Sequence, residues 1–259
     1  MVDVQAIANR LVEDHRDRRP FRPYPSADLV DVSSAYAVQN AFLAARSGGA
    51  YDIGGWKIGL ATPRMQAKTG VSEPVAGVVR AQDIAISGAV LDGSRYTHLG
   101  FETEICAVMG PRVTDLREFS RAEVERSIEA VGASFELVDD RNADFSELEA
   151  LTLIADNVWN EGAVLASMIP FEAAPALSGR TGTLTRDGTE IARGYYDADN
   201  GDIVGIVTWL ARSLHSRGLR LKPGQIVMTG TLFSPVFVVP GETYVFSVEG
   251  FDPVTISIA

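Results

Sequence analysis

GFETEICAVM at residues 100–109 and ASFELVD at residues 133–139 are the stretches on which the fold turns. In the first, Phe101, Thr103, Ile105 and Ala107 alternate with Glu102, Glu104, Cys106 and Val108. A period of two is the mark of a strand, and it puts both glutamates on one face with Cys106 and Val108, a face that reads as buried. In the second, Phe135 and Leu137 alternate with Ser134, Glu136 and Val138. Three acids thus ride on two largely apolar strands. A crossover helix between those strands would return Glu136 beside the first pair.

Working outward, GGWKIGL at residues 54–60 alternates Trp56, Ile58 and Leu60 against Lys57, and short strands follow around Val75 to Val79 and Ile84 to Leu91. Helical spacing of apolar residues predicts helices over residues 1–13, Ser33 to Arg46, Pro63 to Thr69 and Ile203 to Ser216. Glu147 to Asp156 also reads as helical. Ser120 and Glu123 form a capping-box pattern ahead of Val124, Ile128 and Val131, which predicts a helix from Ser120 to Ala130. DHRDRRPFRPYPS at residues 14–26 crowds three prolines and four arginines together, as a solvated linker or as an anion-binding or subunit-contact segment. The last third reads as strands punctuated by Asp187-Gly188, Pro223-Gly224, Pro240-Gly241 and Glu249-Gly250. The expected class is α+β, with a small helical N-terminal lobe at residues 1–50 and a strand-rich body at residues 51–259.

Composition narrows the chemistry. With 46% hydrophobic residues in 259, the chain can bury a substantial core. Its 23 basic and 34 acidic side chains leave a formal charge of -11, which repels phosphate backbones and anionic membranes, so neither nucleic acid nor a membrane is an expected partner. One cysteine and three histidines argue against a disulfide or a structural zinc site. Charges interrupt the first twenty residues before any signal-length apolar run, so a cytoplasmic enzyme is expected. There is no Gly-rich nucleotide motif and no G-x-S-x-G elbow.

The candidate chemistry lies with the acids. Two adjacent carboxylates at an apolar face raise one another's pKa unless donors or a cation neutralise them, and an all-oxygen set including Glu136 suits Mg²⁺ or Mn²⁺ before Zn²⁺. The alternative is that Glu102, Glu104 and Glu136 are ordinary solvent-facing strand residues. Lys57 in an apolar strand is either partly desolvated, for acid/base work or for holding a substrate carboxylate, or it snorkels to water. Arg141, after Asp139 and Asp140, belongs either to an ion-pair network or to a substrate carboxylate.

Taken together, GWKIGL with Met65-Gln66, the GVSEP turn at residues 70–74, E-x-E at Glu102 and Glu104, ELVDDR at residues 136–141, ADN at residues 155–157 and TGTLFSPV at residues 229–236 form a recognisable set. The chain resembles the 2-oxopent-4-enoate (2-hydroxypentadienoate) hydratase and 4-oxalocrotonate decarboxylase family, within the fumarylacetoacetase-like fold. That resemblance implies a mixed β body rolled into a distorted barrel. It implies that Glu102, Glu104 and Glu136 bind Mg²⁺ or Mn²⁺, that the ion chelates a 2-oxo acid through its carboxylate and 2-oxygen, and that Lys57 is the catalytic proton-transfer or carboxylate-orienting group. Arg141 and Thr231, in the ELVDDR and TGT motifs, are candidate substrate contacts.

The implied reaction is hydration of a small 2-hydroxy-2,4-dienoate or 2-oxo-4-enoate, as in meta-cleavage aromatic catabolism, by a homo-oligomer. Decarboxylation of a 4-oxalocrotonate-type 2-oxo acid is the alternative, and a non-catalytic binding member of the fold the second. Two departures from the resemblance bear on this. Val75 stands where many such hydratases have an aspartate, and Trp159 and Glu161 stand where small residues are usual, which implies a reshaped pocket. The histidine and acid dyad of the fold's hydrolases has no clear counterpart, since His15 falls in the arginine-rich segment.

Overall fold

The computed structural model describes residues 2–25, 28–197 and 200–259; Met1 and Ser26, at the ends of two segments read above, lie outside them. In chain order the elements are α1 (Val4–Arg16), α2 (Val32–Arg46), β1 (Ile53–Gly59), α3 (Pro63–Thr69), β2 (Val75–Arg80), β3 (Ile84–Ile86), β4 (Ala89–Leu91), β5 (Leu99–Met109), α4 (Arg121–Glu125) and β6 (Ile128–Asp139). There follow α5 (Ala150–Ala155), β7 (Asn160–Leu165), β8 (Ile169–Pro170), β9 (Thr181–Arg186), β10 (Thr189–Tyr195), α6 (Ile203–Ser216), β11 (Ile226–Thr231), β12 (Val236–Phe237), β13 (Thr243–Val248) and β14 (Val254–Ile258).

The larger sheet runs β2-β1-β11-β5-β6-β7-β3, with β12 on β5 and β8 on β6; the smaller runs β10-β9-β13-β14-β4. In the larger sheet the two end strands, β2 and β3, are neighbours in sequence, joined by residues 81–83 alone. From Arg80 to Ile84 the chain takes four steps and spans about 14 Å at most. The sheet must therefore curl until its ends nearly meet, which is the distorted barrel expected from the resemblance. β11 is inserted between β1 and β5, parallel to the first and antiparallel to the second.

β5 and β6 are antiparallel neighbours, not crossover-linked strands, and their register sets Glu102 directly opposite Glu136. The helix expected from Ser120 to Ala130 ends at Glu125, because Ile128 already belongs to β6. Ser120 does cap it, with the reciprocal Glu123 contact present. The strand expected from Ile84 to Leu91 is two strands, β3 and β4, that belong to different sheets, with the Ser87-Gly88 turn between them.

Helices α1 and α2 pack on one another and join the main core, where Ile7, Leu11, Val38 and Phe42 lie with Trp56, Val78, Phe101 and Phe135. Gln39 of α2, 1% exposed, donates from Nε2 to the carbonyls of Ala76 and Ile154, which ties the helical pair to β2 and α5. α1 runs on past its expected end to Arg16, so His15 is helical and is not in the linker.

Candidate metal centre

Each carboxylate of the acidic trio is placed by strand pairing. Glu102 and Glu104 share one face of β5, Glu136 faces Glu102 across the ladder, and the three offer oxygens that all lie within 4.8 Å of one another. Glu104 and Glu136 are fully buried, while Glu102 lies partly open at the floor of a cavity of about 1040 Å³. Three carboxylates this close repel one another, and their partners are few. The Gly230 N–H donates to Glu104 Oε2 at 2.8 Å, and Asn160 Nδ2 donates to Glu136 Oε1 at 3.0 Å. Glu104 Oε1 and Glu136 Oε2 are buried with no hydrogen-bond partner. Orphaned oxygens of this kind cost free energy unless something positive meets them.

Lys57 projects from β1 to within 3.0 Å of Glu136 and is 4% exposed, so it neutralises one of the three charges. With all three acids ionised, two negative charges are left over. Burial pushes the Glu136 carboxyl up to about 7, with Glu102 adding to that rise and Lys57 opposing it. Burial also drives Glu104 well above the usual carboxylate range, and Glu136 and Glu102 push it further. Burial alone would lower the Lys57 ammonium, but Glu136, Glu102 and Glu104 outweigh it and hold the proton on more tightly. A hard divalent cation fits this all-oxygen set and removes both the repulsion and the unmet acceptors. Gly77, opposite Lys57 in the ladder, is obligatory here, since a Cβ would come within 2.9 Å of Lys57 Cγ and 2.7 Å of the Asn157 carbonyl.

Around this floor the cavity is mainly apolar. Its walls include Met65 of α3, Val138 of β6, Phe145, Leu148, Leu153, Val158, Trp159 and Ile206, and Phe233 and Phe237 near β12. One wall is built unusually. Asn157, Val158 and Trp159 are three consecutive non-glycine residues with φ of 52°, 54° and 60°, in the left-handed region. For β-branched Val158 this is a genuine outlier. The turn is held because Asn157 accepts from the Val78 N–H at 2.7 Å and donates to the Val78 carbonyl at 2.9 Å.

The other expected residues divide. Thr231 lines the cavity, and its hydroxyl donates to the Phe233 carbonyl at 2.6 Å and accepts from the Thr103 N–H, so it also shapes the turn beside Glu104. Arg141, expected as a possible substrate contact, is not in the cavity wall. It is 2% exposed, pairs with Asp156 at 2.5 Å, donates to the Arg19 carbonyl and lies over the Phe21 ring, an ion-pair setting. Asp156 in turn meets His15 Nε2 at 2.6 Å. Burial alone would raise Asp156, but Arg141 and His15 outweigh it and hold the carboxyl below its usual range. This histidine and acid pair lies outside the cavity wall. Glu161 is also outside it, clamped by Arg46 at 2.5 Å, whereas Trp159 is inside. Val75 is 2% exposed and buried in one cluster with Val158, Phe21, Tyr36 and Leu153. Sequence reading missed Asn160 and the Gly230 N–H. Both lie in motifs quoted above or just beyond them, but only the fold shows that they point at the acids.

The chain is similar over nearly its whole length to known proteins. The pattern of the fumarylacetoacetate (FAA) hydrolase C-terminal family matches residues 58–258. A 2-keto-4-pentenoate hydratase of Paraburkholderia phymatum is 28% identical over 263 residues, covering 99% of this chain and 97% of its own. A 4-oxalocrotonate decarboxylase of a Pseudomonas species is 26% identical over 239 residues, covering 92% and 91%. Among solved structures, the 4-oxalocrotonate decarboxylase of Pseudomonas putida G7, complexed with magnesium and adipate, superposes with a TM-score of 0.84 at 23% identity, over 99% of this chain and 97% of that one.

Proposed function

Because the chain belongs to the fumarylacetoacetate hydrolase family, we propose that it is a Mg²⁺- or Mn²⁺-dependent lyase that adds water to a 2-hydroxy-2,4-dienoate. The observation that carries this reading is the buried trio Glu102, Glu104 and Glu136 beside Lys57, two of its oxygens orphaned, at the floor of an otherwise apolar cavity. A divalent cation held there would supply the positive charge toward which electrons move as a 2-oxo acid gains or loses protons along its carbon chain.

The reaction needs protons moved and water placed. In the sum, C3 and C5 each gain a hydrogen, C4 gains a hydroxyl, and the 2-hydroxyl loses its hydrogen on becoming a ketone, which amounts to one water added. Lys57 is the ionisable nitrogen at the cavity floor, and its flexible stem gives Nζ reach toward the chain of a bound acid. The Asn160 amide and the Gly230 N–H fix the carboxylates of Glu136 and Glu104, leaving their other oxygens for the cation. The apolar walls exclude bulk water, which strengthens each of these interactions.

Decarboxylation of a 2-oxo-enedioate is the second reading, and Val75 favours it. With an apolar, sealed side chain at that position, fewer groups handle protons, and loss of CO₂ requires fewer. The two are separated by incubating the protein with Mg²⁺ and either 2-hydroxypenta-2,4-dienoate or 2-oxohex-3-enedioate, following dienoate absorbance and CO₂ together. Hydration of the dienoate without CO₂ from the diacid is expected. CO₂ from the diacid with the dienoate untouched selects the second reading, and inertness toward both, and toward a dienoate extended by an apolar group at C5, rejects the lyase assignment.

A further inference from the structure

The cavity is longer than a five-carbon acid needs. Val138, two residues past Glu136 on the same face of β6, and Asp140, the residue that follows the end of that strand, both lie in its wall. At about 3.3 Å per residue that places Asp140 roughly 13 Å beyond the acids. Four carbon–carbon bonds extend about 5 Å. Most of a 1040 Å³ space, at the upper end of what holds a drug-sized ligand, is therefore left over.

What lines the surplus is apolar and aromatic. Phe145 stands at the mouth, 41% exposed, with its ring edge-on to Trp159 at 5.6 Å, and Leu148 and Leu153 lie with them. An exposed phenylalanine against a tryptophan in a cavity wall is apolar surface awaiting cover. The charges there are wrong for a second carboxylate. Of the charged groups in its wall, Asp140 is paired with His98, Asp202 with Arg121 and Lys57 with Glu136, and Lys68 sits on the exposed face of α3, so among the described residues no buried, unpaired cation is placed to receive a second carboxylate. The left-handed turn has the same meaning. Holding non-glycine residues at positive φ costs free energy, and what this turn delivers is Val158 and Trp159 to the wall.

We propose that the substrate carries a bulky apolar group, aromatic by preference, at the end remote from its 2-oxo acid, and that Trp159 and Phe145 are the residues that select for it. This rests on the reading of the floor as a cation site for 2-oxo acids. It goes further by naming the substrate class as a substituted monoacid and excluding a diacid.

Inert saturated analogues test it by binding alone. Calorimetric titration with 2-oxopentanoate, 2-oxo-5-phenylpentanoate and 2-oxohexanedioate, each with and without Mg²⁺, should give the phenyl compound an affinity at least about tenfold above the short acid, and the diacid the weakest. The ratio of phenyl to short-acid affinity should fall at least about fivefold in Trp159→Ala. Phe145→Ala, at the exposed rim where folding is not at risk, should lower the same ratio. Equal affinities, or a diacid that binds best, overturn the proposal and leave the cation site standing if all three still require Mg²⁺. Failure of all three to bind, with or without the ion, removes the cation-site reading and this proposal with it.

Discussion

Lys57 and Glu104 illustrate how differently two buried charges respond to removal. In Lys57→Met the stem keeps its place beside Gly77 and only the ammonium is lost. Turnover should drop by at least about a hundredfold, while Mg²⁺ affinity is kept or tightened, because three carboxylates without their cationic neighbour attract a divalent ion more strongly. Near-parental turnover at saturating substrate would reduce Lys57 to a structural residue. In Glu104→Gln the side-chain oxygen still accepts from the Gly230 N–H, so the fold should hold while Mg²⁺ binding disappears from calorimetric titration. Asp156 is the third case, and it lies outside the cavity. Its depressed pKa contributes stability that is fully present above the ordinary aspartate value of about 3.9 and is lost as pH falls through the lower folded value. Asp156→Asn leaves Arg141 buried without its counter-charge, so unfolding at pH 7 should cost about 3–5 kcal/mol less. The gap between variant and parent should close as the pH drops below about 4. A gap that persists unchanged at pH 3 means the pair is not the source of the loss.

Among the elements, the left-handed turn at residues 157–159 is held from both sides, by Asn157 on β2 and by Val158 against Gly59 of β1. A Cβ at Gly59 would lie 2.4 Å from Val158 Cγ1, so Gly59→Ala must displace the turn. The expected result is overpacking of about 1–3 kcal/mol, read as a Tm lower by several degrees, together with altered substrate affinity because Trp159 moves with Val158. An unchanged Tm would mean that the turn is looser than its contacts imply. This turn was not legible in the sequence, since Asn157 alone tolerates positive φ readily while nothing in Val158-Trp159 forecasts it; the conformation is held by the bonds of Asn157 to Val78. β5 and β6 were legible because alternation over ten residues has one interpretation, and E-x-E on such a strand puts two carboxylates together whatever the rest of the fold does. The α4 boundary was not legible. Val124 and Ile128 are four apart and fit a helical stripe, yet Ile128 is claimed by Met109 in the β5–β6 ladder. Arg141 was ambiguous for a similar reason: whether it faces a ligand or Asp156 depends on how the chain folds back after α5 and on Phe21, which is distant in sequence.

At the scale of the whole molecule, a cation that binds the folded state alone stabilises all of it. Mg²⁺ at a hundred times its dissociation constant should raise stability by about 2.7 kcal/mol, seen as a rise in Tm with added ion that Glu104→Gln abolishes. A parent that gains nothing from Mg²⁺ or Mn²⁺ has no such site. Protons compete for the same oxygens, so Mg²⁺ affinity should weaken as pH falls, since burial and mutual repulsion make the Glu104 and Glu136 carboxyls readier than usual to hold a proton. The position of β11 between β1 and β5 has one more consequence, which concerns synthesis. The strand bearing Lys57 leaves the ribosome long before residues 226–231, at roughly 5–20 residues per second about ten to thirty seconds earlier. Until β11 arrives, the nascent chain has nothing to put between β1 and β5, and Trp56 and Ile58 have only part of their final cover. A chain arrested before residue 226 should remain open to proteases at β1 and should depend on chaperones, and release of the last strands should close the lysine onto its glutamate in a single late event.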